Sequence, residues 1–154
     1  MNSKVRVYLA ASTLNRPFDD QSLPRNRLET EAVIVILDQI ERGMVDMISS
    51  SPLLYENLKS PLVYRRDYVA TYLDMASVFV TADEALRERA REIAQQGIAP
   101  LDALHLASAE RAEADWFLTC DDRMLRKARR GKLTVGVKVS TPVEFVTKRR
   151  LLNG

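Results

Sequence analysis

The sequence predicts an α/β protein, a three-layer α/β/α sandwich around a parallel sheet of four or five strands. Two observations carry this. Short apolar runs alternate along the chain with stretches of helical periodicity, and a β-then-α order closes into a parallel sheet whose crossovers put helices on both faces. Prolines at helix starts and glycines past helix ends punctuate the same alternation. No Pro/Gly/Ser-rich linker, repeat or low-complexity segment divides the chain. One domain is therefore expected over residues 1–148, with a short C-terminal tail at 149–154.

The elements follow in order. Val5 to Leu9 reads as the first strand, followed by a loop with the turn residues Asn15 and Pro17. A long helix from about Pro24 to Arg42 puts Ala32, Val33, Ile36, Leu37 and Ile40 on one stripe, and Gly43 ends it. A second strand, Val45 to Ser49, leads into a helix around Pro52 to Leu58, and a further helix runs from about Leu62 to Met75. Ser77 to Val80 is the third strand. Thr81-Ala82-Asp83-Glu84 then has the pattern of a capping box, with the Thr81 oxygen and the Glu84 carboxylate satisfying free amides at a helix start. Gly97 closes that helix and Pro100 opens the next.

The stretch from Pro100 to Asp122 is the most informative. Leu101, Leu104, Leu106, Ala107 and Ala109 supply an apolar face over about twelve residues, and Trp116 to Cys120 forms a short apolar run bounded by acids. A helix of about twelve residues is roughly 18 Å long and a strand of about six roughly 20 Å. If the helix lies antiparallel on its strand, the helix start and the strand end share one edge, which brings Asp102 close to Asp121 and Asp122. That edge is where open α/β sheets keep their sites.

Composition narrows the class. At 154 residues, with 46% hydrophobic and 29% charged side chains, the chain can bury a full core as a soluble domain. No segment approaches the apolar length of a membrane span, and the apolar run at the start is too short for a secretory signal, so a cytoplasmic location without membrane contact is expected. Cys120 is the only cysteine, which excludes an internal disulfide and a cysteine zinc cluster, and it reads as a structural thiol. The markers GxGxxG, GxxxxGK[ST] and GxSxG are missing. The net charge of +2 hides an asymmetry, because Arg123 to Arg150 holds ten Lys or Arg against one acid, Glu144. Cations at Arg126, Lys127, Arg129 and Arg130 suit the C-terminal end of a helix, and they also suit a polyanion backbone.

Chemistry is expected at the carboxyl ends of the strands. The candidates are Ala10, Ala11, Ser12, Thr13 and Asn15 after the first strand, Glu56 after the second, and Asp102 with Asp121 or Asp122. Carboxylates converging on one pocket raise one another's pKa, and such a cluster is commonly screened by a divalent cation. All-oxygen ligands suit Mg²⁺ or Mn²⁺, which can activate water against a phosphodiester. His105, one turn beyond Asp102 and without Cys or His companions, reads as a packed or hydrogen-bonded residue.

With these residues in hand, the chain resembles the PIN domains, most closely the VapC-like toxins of prokaryotic toxin–antitoxin pairs. The resemblance rests on VYLAASTLNRPFDDQ at Val7 to Gln21, LLYEN at Leu53 to Asn57, PLDALHLASAE at Pro100 to Glu110 and FLTCDDRMLRKA at Phe117 to Ala128. It implies an endoribonuclease in which four acids hold Mg²⁺ or Mn²⁺ for attack of water on RNA. By position, Glu56, Asp102 and Asp121 match three of the acids. Thr119 is the hydroxyl near the fourth, and Ser12, Asn15 and Asp122 join the pocket. Arg16, Arg123, Arg126 and Lys127 would hold phosphates. A cognate antitoxin protein and a homodimer are also implied.

One position departs from the pattern: where the family's first acid ends the first strand, Tyr8-Leu9 is followed by Ala10. A methyl group ligates nothing. Either the chain is a degenerate member, or alanine was put in place of aspartate so that a toxic nuclease could be produced; the intact remaining motifs favour the second. Three readings follow: a toxin-type ribonuclease weakened at its metal site, a PIN-like RNA- or protein-binding module without chemistry, and a housekeeping nuclease with no antitoxin.

Overall fold

Five strands, β1 (Val5–Leu9), β2 (Val45–Ser50), β3 (Val78–Val80), β4 (Trp116–Leu118) and β5 (Lys138–Ser140), form one sheet in a computed structural model that describes residues 4–151. The order is β3-β2-β1-β4-β5 and every neighbouring pair is parallel. The expected α/β/α sandwich is borne out, with the higher of the two strand numbers. β1 is the middle strand, and Val7, Tyr8 and Leu9 are fully buried, as a parallel strand covered on both faces requires. From β1 the chain builds outward to β2 and β3, then returns to the other side of β1 for β4 and β5. A crevice opens at such a reversal, outside the carboxyl ends of the two flanking strands.

The helices are α1 (Ala11–Asn15), α2 (Pro24–Glu41), α3 (Ser51–Leu58), α4 (Val63–Leu73), α5 (Glu84–Ala94), α6 (Pro100–Arg111), α7 (Asp122–Arg129) and α8 (Pro142–Lys148). The expected stripe of α2 is buried at all five positions. α2 packs on α8, and α5 pairs with α6. Gly43 and Gly97 follow α2 and α5 with φ of 71° and 91°, the left-handed conformation that glycine adopts without a Cβ penalty.

Several expectations need correction. The segment after β1 is no simple loop, because Ala11–Asn15 makes a helical turn and Pro17 sits inside a 3₁₀ turn at Arg16–Phe18, where its missing N–H costs nothing. α5 is capped by Asp83 and not by Thr81: the Asp83 carboxylate accepts from the Leu86 amide at 2.9 Å, and only Asp83 adjoins the first helical residue. β4 has three residues, not six. Beyond Leu118, the Thr119 amide still donates to the Ser140 carbonyl at 3.0 Å, but Cys120 and Asp121 already turn into α7. Cys120 is buried, though outside the strand.

The buried residues of α6 are Ala103 and the run from His105 to Ala109, while Leu101 and Leu104 are half-buried. Small side chains on nearly every side let α6 sink into the molecule. β5 and α8 were not foreseen. Trp116 meets Phe145 of α8 edge to face at 5.5 Å, closing the core at that end. Of the expected tail, 149–151 follow α8 and 152–154 lie outside the described residues.

Candidate active site

The carboxyl ends of β1 and β4 are neighbours in register, Leu9 beside Leu118, and the Ala10 amide continues the ladder with a 2.9 Å bond to the Leu118 carbonyl. This juxtaposition places the start of α1 beside the β4–α7 turn. Hydroxyls fasten the two together. Thr13 Oγ1 donates to the Leu118 carbonyl at 3.0 Å, the Cys120 amide donates to Ser12 Oγ at 3.2 Å, and Ser12 Oγ lies 3.4 Å from Thr119 Oγ1. Thr119 Oγ1 also accepts from the Asp121 amide at 3.1 Å. Ser12 and Thr119, expected in the pocket, thus act by fixing the turn that presents Asp121.

Asp121 caps α7, its Oδ1 accepting from the Arg123 amide at 2.9 Å. Asp102 lies in the first turn of α6, after Pro100. The two acids line one cleft of about 80 Å³ with Gly97, Arg123, Met124 and Lys127. Burial raises the Asp102 carboxyl above the usual carboxylate range and the Asp121 carboxylate adds to it; His105 acts in the opposite sense, and Glu56 contributes least. The convergence of Asp102 and Asp121 expected from the helix and strand termini is what the fold provides.

Asp122 is elsewhere. It forms a two-pronged pair with Arg25 at 2.8 and 2.9 Å, whose guanidinium holds its carboxyl below the ordinary range. A helix start turns successive residues apart by about 100°, so only one of two adjacent acids can face the cleft. Asn15 donates back to the Ala11 carbonyl at 2.9 Å within its own turn. Arg16 departs from a phosphate-binding role: its guanidinium, largely buried, is committed to Asp19 at 2.9 Å and Glu29 at 3.1 Å. Arg123 and Arg126 are exposed on α7, while Lys127 Nζ donates to the Gln96 carbonyl at 3.1 Å, bridging α7 to the end of α5.

Glu56 stands on α3 with Oε1 at 3.1 Å from His105 Nε2. His105 is buried and hydrogen-bonded as expected, but its partners, Glu56 and the Tyr8 hydroxyl, were missed. The only available signal was the shared location of Tyr8, Ser50 and Glu56 near strand ends.

For a divalent cation such as Mg²⁺ or Mn²⁺, the donor chemistry fits, since Asp102, Asp121 and Glu56 offer only carboxylate oxygens. Among the described residues, no three His, Cys, Asp or Glu side chains are gathered closely enough to hold an ion as they stand. Ala10, at the end of β1, adds no oxygen to the set.

A family model described as PIN domain matches residues 22–130. No curated protein matches the chain. Among solved structures, the crystal structure of FitAcB from Neisseria gonorrhoeae is similar at 18% identity and a TM-score of 0.54, covering 88% of this chain and 97% of that one. The crystal structure of VapBC2 from Rickettsia felis, bound to a DNA fragment from their promoter, is similar at 15% identity and a TM-score of 0.53, covering 89% and 98%. At these identities the likeness is one of fold. The family match over more than half of the residues, on a five-stranded parallel sheet with paired acids at its reversal point, makes this chain a member of the PIN-domain family, whose members are generally nucleases.

Proposed function

We propose that this chain is a toxin-type, metal-dependent endoribonuclease whose site is weakened by Ala10. The observation that carries the reading is the cleft shared by Asp102, Asp121, Arg123 and Lys127, with the Asp102 carboxyl raised by burial and by its acidic neighbour. Two acids facing one another gain from a cation between them. Asp102 and Asp121 would hold Mg²⁺ or Mn²⁺, with Glu56 as a further ligand or a water-positioning group. When bound, the ion supplies charge neutralisation for a phosphodiester under attack and a more acidic water.

The chain's own residues do the rest. Exposed Arg123 and Arg126 on α7 meet the phosphates that flank the scissile bond, and Lys127 steadies α7 against α5. Ser12 and Thr119 keep Asp121 aimed into the cleft. RNA is the substrate, a cognate antitoxin protein is the inhibitor, and the working form is a homodimer in the cytoplasm. The similar structures support the antitoxin partner through their fold, and among the described residues no helix is long and apolar enough to cross a membrane.

Ala10, with the lack of a three-donor group among the described residues, favours a second reading, a PIN-like binding module without chemistry. One experiment separates the two. RNA cleavage by the chain and by Ala10→Asp is compared in chelator and in Mn²⁺. A nuclease gains metal-dependent cleavage in the variant, whereas a module binds RNA equally in both solutions and cuts in neither.

A further inference from the structure

Three polar side chains from β1, the end of β2 and α6 meet in the interior, and a fourth, the half-buried Glu56 of α3, joins them from outside. The Tyr8 hydroxyl, fully buried, lies 2.7 Å from Ser50 Oγ and 2.6 Å from His105 Nδ1. The other ring nitrogen of His105 lies 3.1 Å from Glu56 Oε1. Ser50 is the N-cap of α3 and its Oγ accepts from the Leu53 amide at 3.2 Å.

Proton bookkeeping selects a direction. A carboxylate oxygen accepts, which assigns the hydrogen between Glu56 and His105 to Nε2. With Nδ1 bare, it accepts from the Tyr8 hydroxyl; Tyr8 accepts from the Ser50 hydroxyl; and Ser50 accepts from the Leu53 amide. Every hydrogen then has an acceptor. The opposite direction puts a hydrogen on Nδ1 and turns the Tyr8 hydroxyl onto Ser50, which leaves the buried Ser50 hydroxyl without an acceptor among the described residues.

We propose that Ser50, Tyr8 and His105 form a directed hydrogen-bond chain, running from the Ser50 hydroxyl through the Tyr8 hydroxyl to His105 Nδ1, that positions the Glu56 carboxylate. They are positioning residues, and the role of Glu56 in the site rests on the nuclease reading. Burial pushes the Tyr8 phenol far upward, so it stays protonated and donates. The Tyr8 ring is fixed by stacking on Phe117 at 5.2 Å and by its edge contact with His105 at 5.7 Å, which sets the hydroxyl's aim.

His105 is the chain's only histidine, so the imidazole nitrogens of the untagged protein give an unambiguous ¹⁵N spectrum. The expected spectrum has a protonated Nε2 and an accepting Nδ1. Tyr8→Phe keeps the ring and removes the donor, so the Nδ1 signal should move towards that of an unbonded nitrogen. Glu56→Ala, on a half-buried helix position, should speed exchange of the Nε2 hydrogen with water. A protonated Nδ1 or a tautomer mixture in the parent overturns the chain, and so do spectra that neither substitution changes.

In an Ala10→Asp background, Tyr8→Phe should lower kcat for RNA cleavage roughly three- to tenfold with KM unchanged, the loss expected for one hydrogen bond. An unchanged kcat beside the expected spectra overturns the positioning role. If Ala10→Asp shows no metal-dependent cleavage while the spectra are as expected, the nuclease reading falls and the hydrogen-bond chain on Glu56 stands.

Discussion

Asp102 carries the clearest electrostatic strain among the candidate acids. Burial first, then Asp121, raises its carboxyl above the ordinary 3.8. The folded protein therefore holds this proton more tightly than the unfolded chain does, and stability falls as pH rises from the ordinary carboxylate value through the raised one. Above that window the cost stays constant. Asp102→Asn should melt higher than the parent at neutral pH in chelator, with the gap closing as pH falls from the raised value to the ordinary one; thermal melts across that range measure it. A variant that melts lower at neutral pH would show that the carboxylate serves packing. In an Ala10→Asp background the same Asn substitution should abolish metal-dependent cleavage.

Two elements carry predictions of their own. On α7, Arg123 and Arg126 are exposed, whereas Lys127 is tied to Gln96. Replacing both arginines with Ala should weaken RNA binding for every sequence and flatten its salt dependence by about 1.4 in log–log slope, at about 0.7 per lost single-strand phosphate contact. Unchanged slope and affinity would mark them as a solvated helix end. Between α5 and α6, Glu110 accepts from Arg89 at 2.8 and 2.9 Å and from the Gly136 amide at 2.7 Å, joining both helices to the approach to β5. Burial pulls the Glu110 carboxyl upward, but Arg89 and the Gly136 amide outweigh it and hold the group below its ordinary value. This stabilisation is present above the unfolded carboxylate pKa and is lost as pH falls through the lowered one. Glu110→Gln should cost about 1 kcal/mol near neutrality, discounted because Arg89 is partly exposed, and nothing in acid, read by urea titration at both pH values.

For the whole molecule, the sheet reversal at β1 gathers α1, α3, the start of α6 and the β4–α7 turn at one end, so a ligand there couples to global stability. Ala10 is the N-cap of α1 and makes no side-chain cap bond. An aspartate at an N-cap is worth about 0.5–2 kcal/mol over alanine, which offsets its repulsion with Asp102 and Asp121. Ala10→Asp should therefore melt near the parent in chelator and well above it in millimolar Mn²⁺. Binding restricted to the folded state adds about 2.7 kcal/mol at a hundredfold excess over Kd. Equal Mn²⁺-induced shifts in Tm for the two proteins would remove the four-acid site.

The sequence by itself determined the α/β alternation, the buried stripe of α2, the helix-closing glycines and the acids Asp102 and Asp121 at one sheet edge. The first three are local matters of periodicity or chain termination, and the last follows from the matched lengths of one helix and the strand after it. Three-residue β5 and short α8 were not foreseen, since they carry too little periodicity and are interleaved with basic residues. Only the tertiary structure decided which of two adjacent acids enters the cleft, because Arg25 reaches Asp122 from 97 residues away in sequence. Likewise Arg16 is withdrawn by Glu29, and Tyr8 meets His105 across a separation of 97 residues. The Arg16 pair forms within the single β1–β2 connection, whereas strand order sets the two long-range meetings, and strand order is a property of the packed sheet, which no single segment contains.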